Sequence, residues 1–378
     1  MMNDVNIRRK ELATEGQNKD VVSGVRWVRY TILDPSGNIT VLVVDETIDV
    51  KDVALRKKIN DAILQANPEV EQVGFLTSAD IKIDGKKQKV WKIQMAGDEF
   101  CGNASRAFAC YLVENELVER LNFPMMCSGN DNILLAKVEK RGDRKYYSNV
   151  DIPINKNIRD FVSTKQIYKV VLKDIDIFPE TSAGIIRQKA NERANIEAIK
   201  LDGIVHILVD MNTFPMESEI KCKRIAREVI RELGLQNEPA VGVIWSDFET
   251  NTINPFVWVK GVDTIYYENA CGSGSLAYGI KKSIMQDEKN ISVLQKNGKI
   301  IDVNVINDGD VIEKVGIGGE TLIGANKYID ADNKRSFSEI SNTSYDGKDG
   351  CRHQVVVMSN NLNLGVVSCE QKESNGVS

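Results

Sequence analysis

The chain alternates short runs of β-branched and apolar residues with longer stretches in which apolar side chains recur every three or four positions, so strands and helices interleave. Residues 27–33 and 39–44 predict two strands around the turn sequence Asp34-Pro35-Ser36-Gly37-Asn38. Residues 53–66 predict a helix, with Leu55, Ile59, Ala62, Ile63 and Ala66 on one face. Strands at 70–77, 81–83 and 89–95 lead to Cys101-Gly102-Asn103-Ala104-Ser105-Arg106 and a helical apolar pattern over 107–118. Further strands are expected over 133–155. The order then begins again. Residues 204–210 read as a strand and 219–233 as an amphipathic helix, with Ile225, Ala226, Val229, Ile230 and Leu233 on one side. Strands at 240–246 and 256–259 lead to Glu268-Asn269-Ala270-Cys271-Gly272-Ser273-Gly274-Ser275 and a helical run over 276–285.

The distance from helix start to cysteine is similar in the two copies, Val53 to Cys101 and Glu219 to Cys271. An internal duplication explains this economically, and a pseudo-two-fold axis would bring the two cysteine helices face to face across a cleft. The alternative is that an α/β chain repeats such an order by coincidence, but the shared Cys-Gly pair argues against it. The expectation is an α/β (α+β) protein cut near Asp151-Ile152-Pro153, giving domains at 25–152 and 153–318. Residues 1–24, polar and irregular, are expected to be a flexible extension. Residues 330–378, rich in Ser, Asn, Asp and Lys around one apolar run at 355–358, are expected to be a disordered tail.

A length of 378 residues suits two domains, and 42% hydrophobic with 27% charged residues is ordinary for a globular protein. The net charge of −5 gives no reason to expect nucleic acid or an anionic membrane as partner. A small cationic or zwitterionic molecule fits better. No run of about 20 apolar residues is present and the opening residues are charged, so a cytoplasmic protein is expected. The seven cysteines lack zinc-site spacing and only His206 and His353 could join them, so no metal is expected. Cys110, Cys127 and Cys222 lie in or near apolar patterns and read as plain core or surface residues.

Cys101 and Cys271 each stand where a helix begins. There the helix dipole and free N–H groups stabilise a thiolate and lower its pKa toward a usable base. A thiolate on one side of a carbon and a thiol on the other can remove a proton and return one, inverting a stereocentre. The N–H groups after each cysteine, at Gly102, Asn103 and Ala104 and at Gly272, Ser273 and Gly274, could hold a carboxylate on which negative charge grows. Buried structural thiols, a redox disulfide, or one nucleophile with a bystander remain open on these residues alone.

Cys101-Gly102-Asn103 in the first half and Ala270-Cys271-Gly272-Ser273-Gly274 in the second resemble the diaminopimelate epimerase superfamily. The resemblance spans about residues 27–329. It implies two pseudo-symmetric domains, each a strongly curved sheet around a central helix, with the active site between them. It further implies racemisation by two cysteines with no cofactor, pyridoxal phosphate included. Gly318-Gly319-Glu320 onward resembles the last strand of the family, expected at about 319–329 and returning to the first domain. Asn38 resembles a substrate contact, and His206 falls on the family's active-site histidine strand, although a lone His in an apolar strand also suits the core. The chain departs from the epimerase proper in having Ala104 for a second glycine and no arginine in residues 260–270, which implies a substrate without a distal carboxylate. Pro35-Ser36-Gly37-Asn38, Glu71-Gln72-Val73-Gly74-Phe75, Glu99 before Cys101 and Glu268 before Cys271 are closer to the histidine racemase branch, which serves an opine-type metallophore. That branch implies a small amino-acid substrate contacted by Asn38, Glu71, Gln72, Glu99, His206 and Glu268, and a homodimer is compatible with it. Diaminopimelate or another basic or polar amino acid, and a non-catalytic or redox-sensing relative, are the alternatives.

Overall fold

The computed structural model describes residues 21–22, 25–83, 85–152, 197–201, 203–212, 214–261, 263–308, 311–332, 335–346, 351–359 and 364–371. In chain order the first half contains β1 (Val21–Val22), β2 (Val25–Pro35), β3 (Thr40–Val43), α1 (Val53–Ala66), β4 (Gln72–Ile83), β5 (Lys86–Met95), α2 (Gly102–Glu114), β6 (Asn122–Cys127), β7 (Leu134–Gly142) and β8 (Lys145–Ile152). The second contains β9 (Glu197–Leu201), β10 (Ile204–Asp210), α3 (Glu219–Glu232), β11 (Ala240–Asp247), β12 (Thr252–Val259), β13 (Thr264–Tyr267), α4 (Gly272–Gln286), β14 (Asn290–Leu294), β15 (Ile300–Asp308) and β16 (Val311–Asp330). The expected extension at 1–24 lies almost wholly outside the described residues.

The two halves share one topology. An antiparallel pair opens each, β2 with β3 and β9 with β10. A helical crossover to a parallel neighbour follows, β3-α1-β4 and β10-α3-β11. Next come an antiparallel partner, β5 or β12, and a second crossover, through α2 to β6 or through α4 to β14. An antiparallel run closes each half, β6-β7-β8 and β14-β15-β16. The fold is therefore mixed α/β and pseudo-symmetric, with curved sheet around a central helix in each half.

β16 joins the halves. Its N-terminal part pairs with β15, its middle with β8 from Val315↔Ile152 to Leu322↔Lys145, and its end with β2 from Thr321↔Pro35 to Asp330↔Trp27. With β16 in place, the strands β2-β3-β4-β5-β6-β7-β8 close into a ring around α2. A helix inside a ring must be buried on every side. Consistent with this, α2 is buried from Asn103 to Leu112, and α4 from Gly274 to Ile280. Small residues at Ala104, Ala107 and Ala109, and at Ser275, Ala277 and Gly279, let the strands approach.

The outer helices match the predicted periodicity. α1 buries Ile59, Ala62 and Ile63 against β2–β4, and is capped by the Asp52 carboxylate accepting from the Leu55 N–H at 3.0 Å. α3 buries Ile225, Ala226, Val229 and Ile230 against β10–β12. The tail departs from expectation. Three antiparallel strands, β17 (Arg335–Asp346), β18 (Cys351–Ser359) and β19 (Leu364–Gln371), extend the sheet from the end of β16, and β18 contains the apolar run at 355–358. Composition missed them because polar strands can satisfy their backbone groups on a neighbouring edge without supplying a core of their own.

Candidate active site

Cys101 and Cys271 are the N-cap residues of the two central helices, in nearly the same conformation: φ −133°, ψ 114° and φ −123°, ψ 107°. Each sulfur accepts the N–H three residues on, Ala104 or Gly274, at 3.3 Å in both copies. Four residues after each cysteine a serine returns its hydroxyl to the cysteine carbonyl, Ser105 at 2.8 Å and Ser275 at 2.7 Å. This repeated Cys-x-x-x-Ser spacing was present in the sequence as an unused signal. Ala104 and Gly274, expected to face a ligand, instead give their N–H groups to sulfur because an N-cap residue satisfies that donor first. The first two N–H groups of each helix, on Gly102 and Asn103 and on Gly272 and Ser273, have no acceptor within their helix.

The cysteine backbones are held differently. Gln295, just after β14, accepts the Cys271 N–H at 3.0 Å and donates to the Ser275 hydroxyl at 2.9 Å. In the equivalent place at the end of β6, the Cys127 sulfur meets the Cys101 N–H. Neither Gln295 nor Cys127 was singled out as a site residue, because each lies far from its cysteine in sequence.

Burial reverses the expected effect on the thiols. Desolvation pushes Cys101 up to about 12 and Cys271 well above the usual thiol range, outweighing the single N–H bond each sulfur receives. Both are therefore thiols at neutral pH. Cys101 donates to Gln72 Oε1 at 3.0 Å. The Cys271 thiol faces the Glu268 carboxyl, which desolvation pushes up to about 7, with a smaller contribution from the nearby Glu71 charge. The Ser273 hydroxyl lies 3.6 Å from the Cys271 sulfur.

Asn38, Glu71 and Gln72 form one polar group beside Cys101. Gln72 Nε2 donates to Asn38 Oδ1 at 2.6 Å and to the Thr40 hydroxyl at 2.8 Å, while Asn38 Nδ2 donates to Glu71 Oε2. Asn103 Nδ2 donates to the same Asn38 oxygen at 3.1 Å. From the second half, Asn269 Nδ2 reaches Glu71 Oε1 at 3.1 Å, so the chain of polar contacts runs from Cys101 to the segment carrying Cys271. Gly37 (φ +97°) makes the turn between β2 and β3 against Asn297, whose amide donates to the Ser36 carbonyl at 3.1 Å.

Two expected members stand apart. Glu99 is exposed and turns its carboxylate toward backbone N–H groups of Gly97 and its own residue; desolvation nonetheless raises its pKa. His206 lies on β10 wholly buried beside Gly242 of β11, on the same face as Leu208 toward α4, and neither ring nitrogen has a partner among the described residues. Desolvation lowers it to about 3, so it is neutral. No group of three or more His, Cys, Asp or Glu among the described residues is placed to hold a metal, and none of their helices is long and apolar enough to cross a membrane.

The model of the histidine racemase CntK N-terminal domain matches this chain twice, at residues 27–189 and 177–328. A histidine racemase of Fusobacterium nucleatum subsp. nucleatum is 28% identical over 277 residues, covering 72% of this chain and 88% of that protein. One from Staphylococcus aureus is 24% identical over 277 residues, covering 72% of this chain and 87% of its own length. The solved structure of a hydroxyproline epimerase from Agrobacterium vitis with bound trans-4-hydroxy-L-proline aligns with a TM-score of 0.53 at 11% identity, over 81% of this chain and 92% of that one, and so shares the fold. One family model recurring over both halves agrees with the repeated topology, and the chain belongs to the histidine racemase CntK family, a group of racemase and epimerase-type isomerases.

Proposed function

We propose that this protein is a histidine racemase that uses no cofactor and inverts Cα between Cys101 and Cys271, in a cleft between domains at 25–152 and 153–318. The observation that carries the reading is the matched pair of N-cap thiols, each on its own central helix with the same sulfur-to-N–H distance. The substrate carboxylate lies against the helix starts, with Gly102, Asn103, Gly272 and Ser273 offering N–H groups.

In one direction Glu268 takes the Cys271 proton, and the thiolate so formed removes the Cα proton. The electron pair left on Cα spreads into the carboxylate, where preorganised N–H donors stabilise it. Cys101 then gives its proton to the opposite face and is left as the thiolate. The other enantiomer reacts in reverse, from the Cys101 thiolate toward Cys271. Asn38, Glu71 and Gln72 bind the amino group and the imidazole, assisted by Asn269. The histidine assignment is supported by the relatives named above and by the absence of an arginine in residues 260–270 that would suit a distal carboxylate.

The test is deuterium incorporation at Cα from heavy water across a panel of L-amino acids. Exchange and racemisation are expected with histidine. Exchange with diaminopimelate or another amino acid, but not with histidine, would reject the substrate. Cys101→Ser and Cys271→Ser should each lower racemisation by about a hundredfold to ten-thousandfold, the usual worth of a positioned acid or base. Parental rates in either variant would reject the two-thiol mechanism.

A further inference from the structure

Arg106 stands one turn into α2, wholly buried. Its Nη2 donates to Asn103 Oδ1 at 3.0 Å and approaches the Pro35 carbonyl at 3.4 Å, whereas Nε and Nη1 have no partner among the described residues. No carboxylate among the described residues forms an ion pair with it. Gly319 of β16 makes the space: a Cβ there would lie 2.6 Å from Nη1. A buried cation without a counter-charge is costly, and replacing such groups by apolar ones is often neutral or stabilising. Fold stability is therefore a poor account of an arginine here, and the contacts it does make give a better one.

A guanidinium can only donate hydrogen bonds. Asn103 must therefore present its oxygen to Arg106 and its nitrogen to Asn38. Asn38 in turn presents its oxygen to Asn103 and Gln72 and its nitrogen to Glu71. Gln72 has its nitrogen committed to Asn38 and Thr40, which leaves its oxygen for Cys101. Every amide in this series has two orientations of similar shape; Arg106 selects that of Asn103, and Asn103 together with the Glu71 carboxylate selects that of Asn38. We propose that Arg106 is a positioning residue that polarises the Asn103–Asn38–Gln72 series and so holds Cys101 as a hydrogen-bond donor, the thiol ready to protonate Cα. The inference deepens the racemase reading by giving Cys101 its resting role, but its test needs no substrate and so can fail or succeed independently of that reading.

The experiment follows the pH midpoint of the Cys101 thiol in the full chain by NMR of isotope-labelled cysteine, with Cys271 as the internal reference. In Arg106→Met Asn103 is free to turn its oxygen toward Asn38 and compete with Glu71 for the Asn38 nitrogen, and as Asn38 turns Gln72 can offer Nε2 to a thiolate. The Cys101 midpoint should fall by about one pH unit, the worth of one hydrogen bond to a charged sulfur, while Cys271 stays in place. Arg106→Lys keeps a donor-only cation and should restore the parental midpoint, which general loosening of the packing would not do. Asn103→Ala breaks the series at its first link in a good helix former, and should reproduce the fall even if Arg106→Met does not fold. A Cys101 midpoint unmoved in Asn103→Ala, one that rises in Arg106→Met, or a lysine variant as shifted as the methionine one would each overturn the proposal.

Discussion

In the proposed mechanism the Glu268 carboxyl takes the Cys271 proton, so its ionisation sets when the thiol can act. Glu268 is pushed up to about 7 by burial, so it is protonated in acid and becomes a base as the pH rises through that value. The kcat/KM profile should therefore rise with pH around 7 for the enantiomer attacked by Cys271. Glu268→Gln should abolish that limb and lower the rate by about a hundredfold. The stability consequence has the opposite sign. A carboxyl with a folded pKa above its ordinary value of 4.5 favours the folded state in acid, and this contribution is lost as the pH rises from 4.5 through about 7. Glu268→Gln should thus gain stability relative to the parent above neutrality, as read by denaturant unfolding at several pH values. An inactive variant with no such gain would place Glu268 outside the buried thiol pair.

The two helix starts show how an element supports its cysteine. Around Cys271, one side chain, Gln295, satisfies the backbone N–H and orients the Ser275 hydroxyl. Gln295→Leu would strand the buried Cys271 N–H and should cost about 1–3 kcal/mol in urea unfolding. Racemisation should fall further than this loss of stability explains, and an equal effect on both would leave Gln295 a purely structural residue. Elements were the most legible level of the sequence. The span of α1 was visible at 53–66 because Leu55, Ile59, Ala62 and Ile63 keep a strict helical period on a half-buried face. α2 and α4 were visible only from their second turn, since a helix buried all round has no polar face to mark its ends, and its start here is set by capping at Cys101 and Cys271. Both cysteines and the Asn38–Glu71–Gln72 group were legible from motif wording. The cross-chain partners Asn269, Gln295 and Arg106, and the upward shift of both thiols, depend on burial and on contacts between distant segments. No local pattern carries those.

Across the whole molecule, the halves are held by polar side chains that reach over β16. Tyr147 of β8 donates to Asp302 of β15 at 2.7 Å, and Asn149 of β8 bonds Asn304 of β15. The intervening strand has Gly316 and Gly318 at these positions, and a Cβ on Gly318 would stand 2.5 Å from the Tyr147 hydroxyl. Gly318→Val should displace Tyr147 and lower stability by about 1–3 kcal/mol, measured as a shift in urea midpoint. Tyr147→Phe should show the smaller loss of one hydrogen bond. If Gly318→Val unfolds like the parent, these side chains do not hold the halves together.

The path of β16 also bears on how the protein is made. β2 leaves the ribosome about three hundred residues before its partner strand, since Tyr30 pairs with Lys327. Until then the ring around the first cysteine helix stays open, with the edges of β2 and β8 unpaired and the apolar face of α2 uncovered. Loop closure over so long a separation makes this a slow step, and nascent chains halted before β16 should bind chaperones and aggregate more readily than complete ones.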